Sequence, residues 1–310
     1  MKLIAPDYYR QFRCIADKCR HSCCIGWEID IDPITREKYR QVPGNFGARL
    51  NASIEDGEVA VFRLGENERC PMLNANGLCD LITELGEENL CQICADHPRF
   101  RNFYADRTEI GLGMCCEEAA RIILSSQEPM KLVTIEDDGA AEAPDEDEQD
   151  LLAFRDKLIS MVQDETMPLE ARLDALLDAV DFAIPETDWA EVYHGLERLD
   201  PAWDVQLENI SLHLNDAPRG LSDRPLNPFG AYANFAAYLL YRHLPGALQD
   251  DDIPGRVAFC VLSTRVLMAL CAATDDCTLA DCIEYARMYS AEIEYSEDNI
   301  AALLDALWEA

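Results

Sequence analysis

The hydrophobic pattern of the second half of the chain has a helical period. Apolar residues between positions 151 and 162 fall on one face of a helix, and residues 171–180 repeat the pattern. A third such stretch runs from Asn234 to His243 and is followed by a Pro-Gly stop signal. Ser296 is a suitable N-cap for a last helix that ends near Trp308. We therefore predict an all-helical bundle for the C-terminal half.

The longest apolar run, Val257 to Ala273, carries Arg265 near its centre. It falls short of the roughly 18 to 20 residues that a bilayer span needs. We therefore predict a buried helix here, and a soluble protein that has no membrane partner.

The first half of the chain shows shorter and less regular patterns. Residues Trp27 to Ile31 alternate as a brief strand does, and helices are predicted for Pro33 to Tyr39, Cys79 to Leu85 and Glu117 to Ser125. The predicted fold class is mainly α. A small irregular cysteine-rich metal-binding domain is followed by an α-helical domain.

An acidic segment at residues 136–150 separates the two patterns. Nine of its fifteen residues are acidic, and none is basic, aromatic or β-branched. Such a composition cannot bury much surface and predicts a flexible linker. The predicted organisation is a cysteine-rich domain at 1–135, the acidic linker at 136–150 and a helical domain at 151–310.

The formal net charge of −33 is distributed unevenly. Residues 1–135 hold 16 Lys and Arg against 21 Asp and Glu, whereas the remainder holds 10 against 38. The strongly acidic C-terminal half would repel nucleic acid and anionic lipid. We therefore expect no nucleic-acid partner. Its surface either promotes solubility or attracts a basic protein.

Cysteine is concentrated at the start of the chain, where ten of the fourteen lie within the first 116 residues. Disulfide frameworks are usual in small secreted domains, but the N-terminus lacks the uninterrupted apolar stretch of a secretory signal. We therefore expect a cytoplasmic protein whose reduced thiols form a metal centre. The ten residues are Cys14, Cys19, Cys23, Cys24, Cys70, Cys79, Cys91, Cys94, Cys115 and Cys116.

The number and spacing of the cysteines indicate which metal centres are possible. Thiolates this numerous select zinc or iron–sulfur clusters. Only Cys91 and Cys94 have the spacing of a zinc knuckle, so the irregular spacings favour iron–sulfur, with zinc as the alternative. The radical S-adenosylmethionine motif, C-x3-C-x2-C, starts at Cys19 and Cys23 but fails at Gly26. A purely structural metal site, which only holds the short loops together, is the remaining alternative.

Four runs of residues beside these cysteines form a specific set. They are C-x3-C-C-x-G-W at 19–27, C-P-x-L to G-L-C at 70–79, L-G-E to C-x3-P-R at 85–99, and C-x-E-A-A-R at 116–121. With them, residues 8–125 resemble the flagellin lysine N-methylase family. More distantly, they are similar to cysteine-cluster proteins that chelate zinc or iron.

The resemblance implies an activity, a cofactor set and a partner. Members of the family transfer methyl groups from S-adenosylmethionine to lysines of flagellin and carry an iron–sulfur cluster, here expected to be 4Fe–4S. The cysteines that match the family pattern are the expected metal ligands. These are Cys14, Cys19, Cys23, Cys24, Cys70, Cys79, Cys94 and Cys116, with Cys91 and Cys115 in second rank.

Methyl transfer to lysine requires a neutral amine, although the pKa of lysine is about 10.4. Asp30, Asp32 and Asp96 are the candidate bases near the cysteines. Trp27 could hold a sulfonium by cation–π attraction, and Arg99 could pair with the cofactor carboxylate. No Gly-rich loop of the ordinary methyltransferase type follows a predicted strand.

A second function class stays open beside the enzyme. The chain could be a non-catalytic iron–sulfur or zinc protein that senses redox state or carries electrons or metal, with its acidic half docking a basic partner. The four cysteines of the helical half, Cys260, Cys271, Cys277 and Cys282, are expected to be structural thiols.

Overall fold

The computed structural model describes the chain apart from Trp27, residues 140–142, Pro144, residues 218–229 and Ala310. It divides into two compact units. The cysteine-rich unit comprises Arg13–Phe100 and Cys116–Glu118, and the helical unit comprises Met1–Phe12, Arg101–Cys115 and Ala119–Ala310. The predicted fold class, mainly α, is confirmed.

Seven strands are present in the described residues, five of them before Arg107. They are β1 (Lys2–Pro6), β2 (Asp30–Ile31), β3 (Ile54–Glu55), β4 (Ala60–Phe62), β5 (Arg99–Phe103), β6 (Arg107–Leu112) and β7 (Leu132–Asp137).

The described α-helices of ten residues or more all lie in the helical unit. The described α-helices are α1 (Pro33–Arg40), α2 (Gly44–Ala52), α3 (Asp80–Leu85), α4 (Gln92–Asp96), α5 (Glu117–Leu124), α6 (Glu146–Val162), α7 (Leu169–Asp178), α8 (Trp189–Gly195), α9 (Pro201–Leu214), α10 (Ala231–His243), α11 (Ala247–Asp250), α12 (Ile253–Ala272), α13 (Leu279–Tyr289) and α14 (Glu297–Trp308).

The cysteine-rich unit has a small core between helices and a three-stranded antiparallel sheet of order β2-β4-β3. Helix α1 begins where Pro33 sets φ and where the Asp32 carboxylate accepts a hydrogen bond from Thr35 N at 2.9 Å. Tyr39 of α1 and Phe62 of β4 are buried, and their ring centroids are 6.4 Å apart. The same core includes buried and partly buried cysteines, so these thiols are packed side chains.

A four-stranded sheet of order β5-β6-β1-β7 runs largely through the helical unit. Strand β1 is parallel to β6, with Leu3 opposite Thr108, and antiparallel to β7. The sequence pattern did not predict this sheet. In the helical unit, Arg155 of α6 donates to the carboxylate of Glu109 on β6 at 3.1 Å, and both side chains are fully buried. This ion pair fastens α6 to the sheet.

Helix α12 lies at the centre of the helical unit. It is 20 residues long and, of the described helices, is the one that is long and apolar enough to cross a membrane, but 83% of its most apolar window is buried inside the protein. The prediction of a buried helix is confirmed, although the argument from length was wrong. Buried Arg265 donates to Glu170 at 3.2 Å and Asp174 at 2.6 Å, both on α7.

The remaining sequence predictions agree with the structure in their helices and differ at several boundaries. Ser296 caps α14 as predicted, since its hydroxyl accepts from Asn299 N at 3.2 Å. The predicted strand from Trp27 shortens to β2, and Trp27 itself lies outside the described residues.

The acidic segment at 136–150 contains more regular structure than a linker would. Strand β7 extends to Asp137, and α6 begins at Glu146. Asp145 caps α6 by accepting from Asp147 N at 3.0 Å, and acidic side chains in a first turn are favourable at a helix N-terminus. Part of the acidic segment therefore forms the N-terminus of α6. The two units do not divide at the predicted linker.

Candidate metal centre in the cysteine-rich unit

The loop from Cys70 to Cys79 is held by backbone hydrogen bonds and a tight turn. Cys70 N donates to Cys24 O at 2.8 Å, which brings two distant parts of the chain together. Inside the loop, the side-chain oxygen of Asn74 accepts two backbone N–H groups at 2.9 and 3.1 Å. Gly77 adopts a φ of 76°, which favours glycine. The loop places Cys79 at the N-cap of α3.

Five cysteines form what we call the inner thiol set. Cys91 is the N-cap of α4 and Cys94 lies in its first turn, so their thiols meet and share a hydrogen bond. Cys24 interacts electrostatically with Cys70, Cys79 and Cys94. Cys70 and Cys91 are buried and the other three are half-buried. The inner thiol set is Cys24, Cys70, Cys79, Cys91 and Cys94.

Four other cysteines form an outer thiol set, defined as Cys14, Cys19, Cys23 and Cys116. Cys19 and Cys23 each interact electrostatically with both Cys14 and Cys116. The set is more exposed than the inner one, since Cys14 and Cys23 are exposed and the other two are half-buried. The adjacent residues Cys23 and Cys24 thus belong to different sets, although their thiols share a hydrogen bond.

Two thiols of the inner set have a lowered pKa, whereas burial raises the pKa of Cys70 to about 12 and also raises that of Cys79. A hydrogen bond from Cys23 lowers the pKa of Cys24 to about 7, and the charge of Arg69 acts in the same direction. A hydrogen bond from Cys94 likewise lowers the pKa of Cys91. The two donors show the opposite change, because each must stay protonated to donate. Thiolate is the form that binds metals.

The thiol sets have the chemistry of metal ligands but not the geometry of a formed site. Within the described residues, no group of three or more His, Cys, Asp or Glu side chains is arranged so that it could hold a metal ion. Iron–sulfur clusters and structural zinc sites take four protein ligands, commonly four thiolates. The outer set supplies four cysteines and the inner set supplies five. We therefore treat both as candidate ligand sets that lack a preformed geometry.

The two second-rank cysteines have different surroundings. Cys91 lies in the inner thiol set, and the signal for it in the sequence was its C-x2-C spacing with Cys94. Cys115 lies in the helical unit, where its thiol is hydrogen-bonded to Tyr295. Cys115 is therefore not grouped with the cysteines of the cysteine-rich unit.

The candidate bases differ in how much their carboxylates are already used. Asp32 accepts from Thr35 N at 2.9 Å and from Gln92 N at 3.0 Å. Partial burial opposes ionisation, but these hydrogen bonds outweigh it and lower the pKa of Asp32. Asp96 accepts from the Gln92 side chain at 2.6 Å. Asp30 is exposed on β2, and its carboxylate makes no hydrogen bond within the described part of the chain.

Of the two candidate cofactor-binding residues, Arg99 lies in the described part of the chain and has hydrogen-bond partners there. The guanidinium of Arg99 donates to the backbone oxygens of Ala95 at 3.1 Å and His97 at 3.4 Å. Burial lowers the pKa of His97 to about 4, so its ring is neutral at physiological pH. Trp27, the other candidate, lies outside the described residues.

Three curated relatives are similar to this chain. It is 28% identical over 136 residues to the lysine-N-methylase of Salmonella typhimurium strain LT2, covering 41% of this chain and 33% of that protein. The match to the lysine-N-methylase of Salmonella choleraesuis has the same identity and extent. A third relative, the flagellar biosynthetic protein FliU of Salmonella muenchen, is 26% identical over 137 residues, which is 79% of its length.

The chain spans about a third of the length of the lysine-N-methylases that it matches. No protein-family model matches the chain, and no solved structure does so either. The similarity is therefore a distant one to lysine-N-methylases and a flagellar protein. It agrees with the resemblance found in the sequence motifs.

Proposed function

We propose that this chain is a protein-lysine N-methyltransferase whose acceptor is a flagellum-related protein, flagellin. The observation that carries the proposal is the similarity to two lysine-N-methylases and to FliU over 41% of the chain. The methyl donor of the proposal is S-adenosylmethionine.

The proposed chemistry sets a requirement for the acceptor lysine. Its nitrogen must lose a proton before it attacks, because the pKa of lysine is about 10.4. In the transfer, an N–C bond forms, the C–S bond of the donor breaks, and S-adenosylhomocysteine leaves. A base takes the proton of the amine. Among the three candidate carboxylates, Asp30 is the one without a hydrogen bond in the described chain, so we assign it this role.

The proposal includes iron–sulfur clusters held by the two thiol sets. Such a cluster, when bound, holds its ligand loops together and can accept or donate an electron. Four thiolates suffice for one 4Fe–4S cluster, so the outer thiol set and four members of the inner set would hold two. Binding requires the thiolate form, which the pKa of Cys24 at about 7 favours.

Substitutions in each thiol set test the two-cluster arrangement. Anaerobically purified protein is expected to contain about eight irons per chain. Cys116→Ser is expected to remove about four of them, and the double variant Cys91→Ser with Cys94→Ser, which leaves three thiols in the inner set, is expected to remove the other four. Cys277→Ser, in the helical unit, is the matched control and should keep them all. Full iron content in Cys116→Ser would exclude the outer thiol set.

One observation favours the non-catalytic alternative, a protein for redox sensing or for electron or metal transfer. Asp32 caps α1 and binds α4, Asp96 is bound by Gln92, and Arg99 is bonded to backbone oxygens. Three of the four described candidates for methyl-transfer chemistry therefore already have structural contacts. This alternative predicts bound metal without methylation of any lysine.

Co-expression with flagellin separates the two functions. Intact and peptide mass spectrometry should show methyl additions on flagellin lysines with wild-type protein, and none with an empty vector. Asp30→Asn should reduce the methylation while leaving the iron content unchanged. Unmodified flagellin beside wild-type protein with full iron content and ample S-adenosylmethionine would contradict the methyltransferase proposal.

A further inference from the structure

A cleft of about 620 Å³ opens on the helical unit between α14 and the turn that joins α11 to α12. Its apolar part includes Leu304 and Trp308 of α14 and Pro254 of α12. Four aspartates also line it, namely Asp250, Asp251, Asp252 and Asp305. The cleft thus combines an apolar floor with an acidic rim.

Trp308 is held in place and yet largely accessible. Its indole N–H donates to the Asp252 carboxylate at 3.0 Å. Phe182 packs against it in an edge-on contact, with ring centroids 4.9 Å apart and an interplanar angle of 78°. Despite these contacts, 57% of Trp308 is exposed. A fixed and exposed indole ring is the aromatic surface on which a cation binds best.

The rim of the cleft carries uncompensated negative charge. Asp250 is paired with Arg256, whose guanidinium lies 3.0 Å from its carboxylate. Asp251 and Asp305 are exposed, and their carboxylates make no hydrogen bond or ion pair within the described part of the chain. The residues that line the cleft include no Lys or Arg. Charge complementarity therefore selects a cationic occupant.

We propose that this cleft docks a lysine side chain of the protein substrate, with the ammonium over Trp308 and between the carboxylates of Asp251 and Asp305. This inference rests on the proposed lysine methylation only for the identity of the partner. The docked lysine lies on the helical unit, so the cleft positions a basic segment of the acceptor and is not assigned the methyl transfer itself. A lysine stem would cover Leu304 and Pro254 while its head stays in reach of water.

Binding of a fluorescein-labelled hexalysine peptide to the full chain, followed by anisotropy without methyl donor, tests the proposal. Trp308→Ala is expected to weaken binding about threefold to fivefold, whereas Trp308→Phe should retain most of it. The isosteric pair Asp251→Asn with Asp305→Asn should weaken binding about threefold to tenfold at low salt, and less at high salt. An acetyl-lysine version of the peptide should not bind.

The matched control is the pair Asp275→Asn with Asp276→Asn, which removes the same charge from an exposed loop of the same unit. It should leave the affinity nearly unchanged. Equal weakening by the two aspartate pairs would show general electrostatic attraction and overturn the proposal. A self-association that Trp308→Ala abolishes in sedimentation would assign the cleft to a second copy and overturn it as well.

The peptide-binding assay and the co-expression with flagellin together separate this inference from the proposed function. Peptide binding that depends on Trp308, together with unmethylated flagellin, supports the cleft and contradicts the methyltransferase. Methylated flagellin with peptide binding that ignores Trp308 and both rim aspartates supports the enzyme and contradicts the cleft.

Discussion

The two units use cysteine in different settings. In the cysteine-rich unit, thiols lie on short loops and helix ends. Hydrogen bonds lower the pKa of Cys24 and Cys91, whereas burial raises the pKa of Cys19, Cys70 and Cys79. In the helical unit, Cys260 and Cys271 lie inside α12, and their pKa values are raised, by burial and by a hydrogen bond to Cys282 respectively. Burial also raises the pKa of Cys277 to about 12.

Under the proposed function, this difference separates candidate metal ligands from thiols that only pack. A thiolate within a group of thiols, close to a cation such as Arg69, can take up a metal with little further cost of ionisation. Cys271 also meets other thiols, Cys282 on α13 and Cys277 in the loop before α13, but Cys271 and Cys282 are fully buried between helices. Grouping of cysteines alone therefore does not indicate a metal centre. The two units differ in the loop setting of most of the thiols and in the lowered pKa values of Cys24 and Cys91.

Metal removal should have the largest effect, and only on the cysteine-rich unit. Its small core contains the inner thiol set, so binding energy of the metal is also folding energy. A strong chelator under reducing conditions is expected to unfold this unit. Hydrogen exchange should then accelerate in α1 and β2 but stay slow in α12. Unchanged exchange in α1 after complete metal removal would mean that the thiol sets are not structural ligands.

Truncation of Phe235 should destabilise the helical unit and leave the cysteine-rich unit unaffected. This side chain is fully buried on α10, and its ring centroid is 5.9 Å from that of Tyr289. Phe235→Ala is expected to cost about 3–5 kcal/mol of the free energy of unfolding of the helical unit. Denaturant unfolding measures it, with Val205→Ala as the control, since Val205 is exposed on α9. The iron content should not change, and a loss of iron would break the comparison.

His243 should give the helical unit an acid sensitivity. It is buried, its Nε2 is 2.7 Å from the Glu294 carboxylate, and burial lowers its pKa, helped by Arg242 and Arg256 and opposed by Glu294. As the pH falls below about 6.5, the unfolded chain takes up a proton that the folded chain does not, so stability falls.

His243→Gln should therefore flatten the decline in stability between about pH 7 and about pH 5. At neutral pH it is expected to cost about 1–3 kcal/mol, because a buried hydrogen bond is altered. Unfolding curves at several pH values measure both effects. An unchanged slope in the variant would show that His243 does not cause the acid sensitivity.

The smallest effect is expected at the start of α14. Ser296→Ala removes the hydroxyl that accepts from Asn299 N and should cost about 1 kcal/mol. Ser296→Thr, which keeps the hydroxyl that also donates to the Glu197 carboxylate at 3.1 Å, should retain most of the stability. Equal destabilisation by both variants would mean that packing of Ser296, and not its capping, matters.

The sequence predicted those features that depend on local physics. Helix α1 follows from Pro33 behind a capping Asp32, and α14 follows from Ser296 before an apolar stripe. Burial of α12 was predicted from its apolar run, although its full length of 20 residues was not. Each of these features is encoded within a few residues of where it forms.

The features that the sequence did not predict depend on distant pairing. Strand β1 pairs with β6 and β7, which lie more than a hundred residues further along the chain, and no local pattern reports this. The same holds for the division of the cysteines. Cys116 joins Cys14, whereas its neighbour Cys115 contacts Tyr295 in the helical unit. Periodicity cannot specify which loops the fold brings together.

Iron and acid-labile sulfide per chain, measured on anaerobically purified full-length protein, test most directly whether the cysteine-rich unit is the metal centre. The account predicts about eight of each, with charge-transfer absorption that survives in Cys277→Ser and falls by half in Cys116→Ser. Zinc alone without charge-transfer absorption would contradict it. So would iron that is retained both in Cys116→Ser and in the double variant Cys91→Ser with Cys94→Ser.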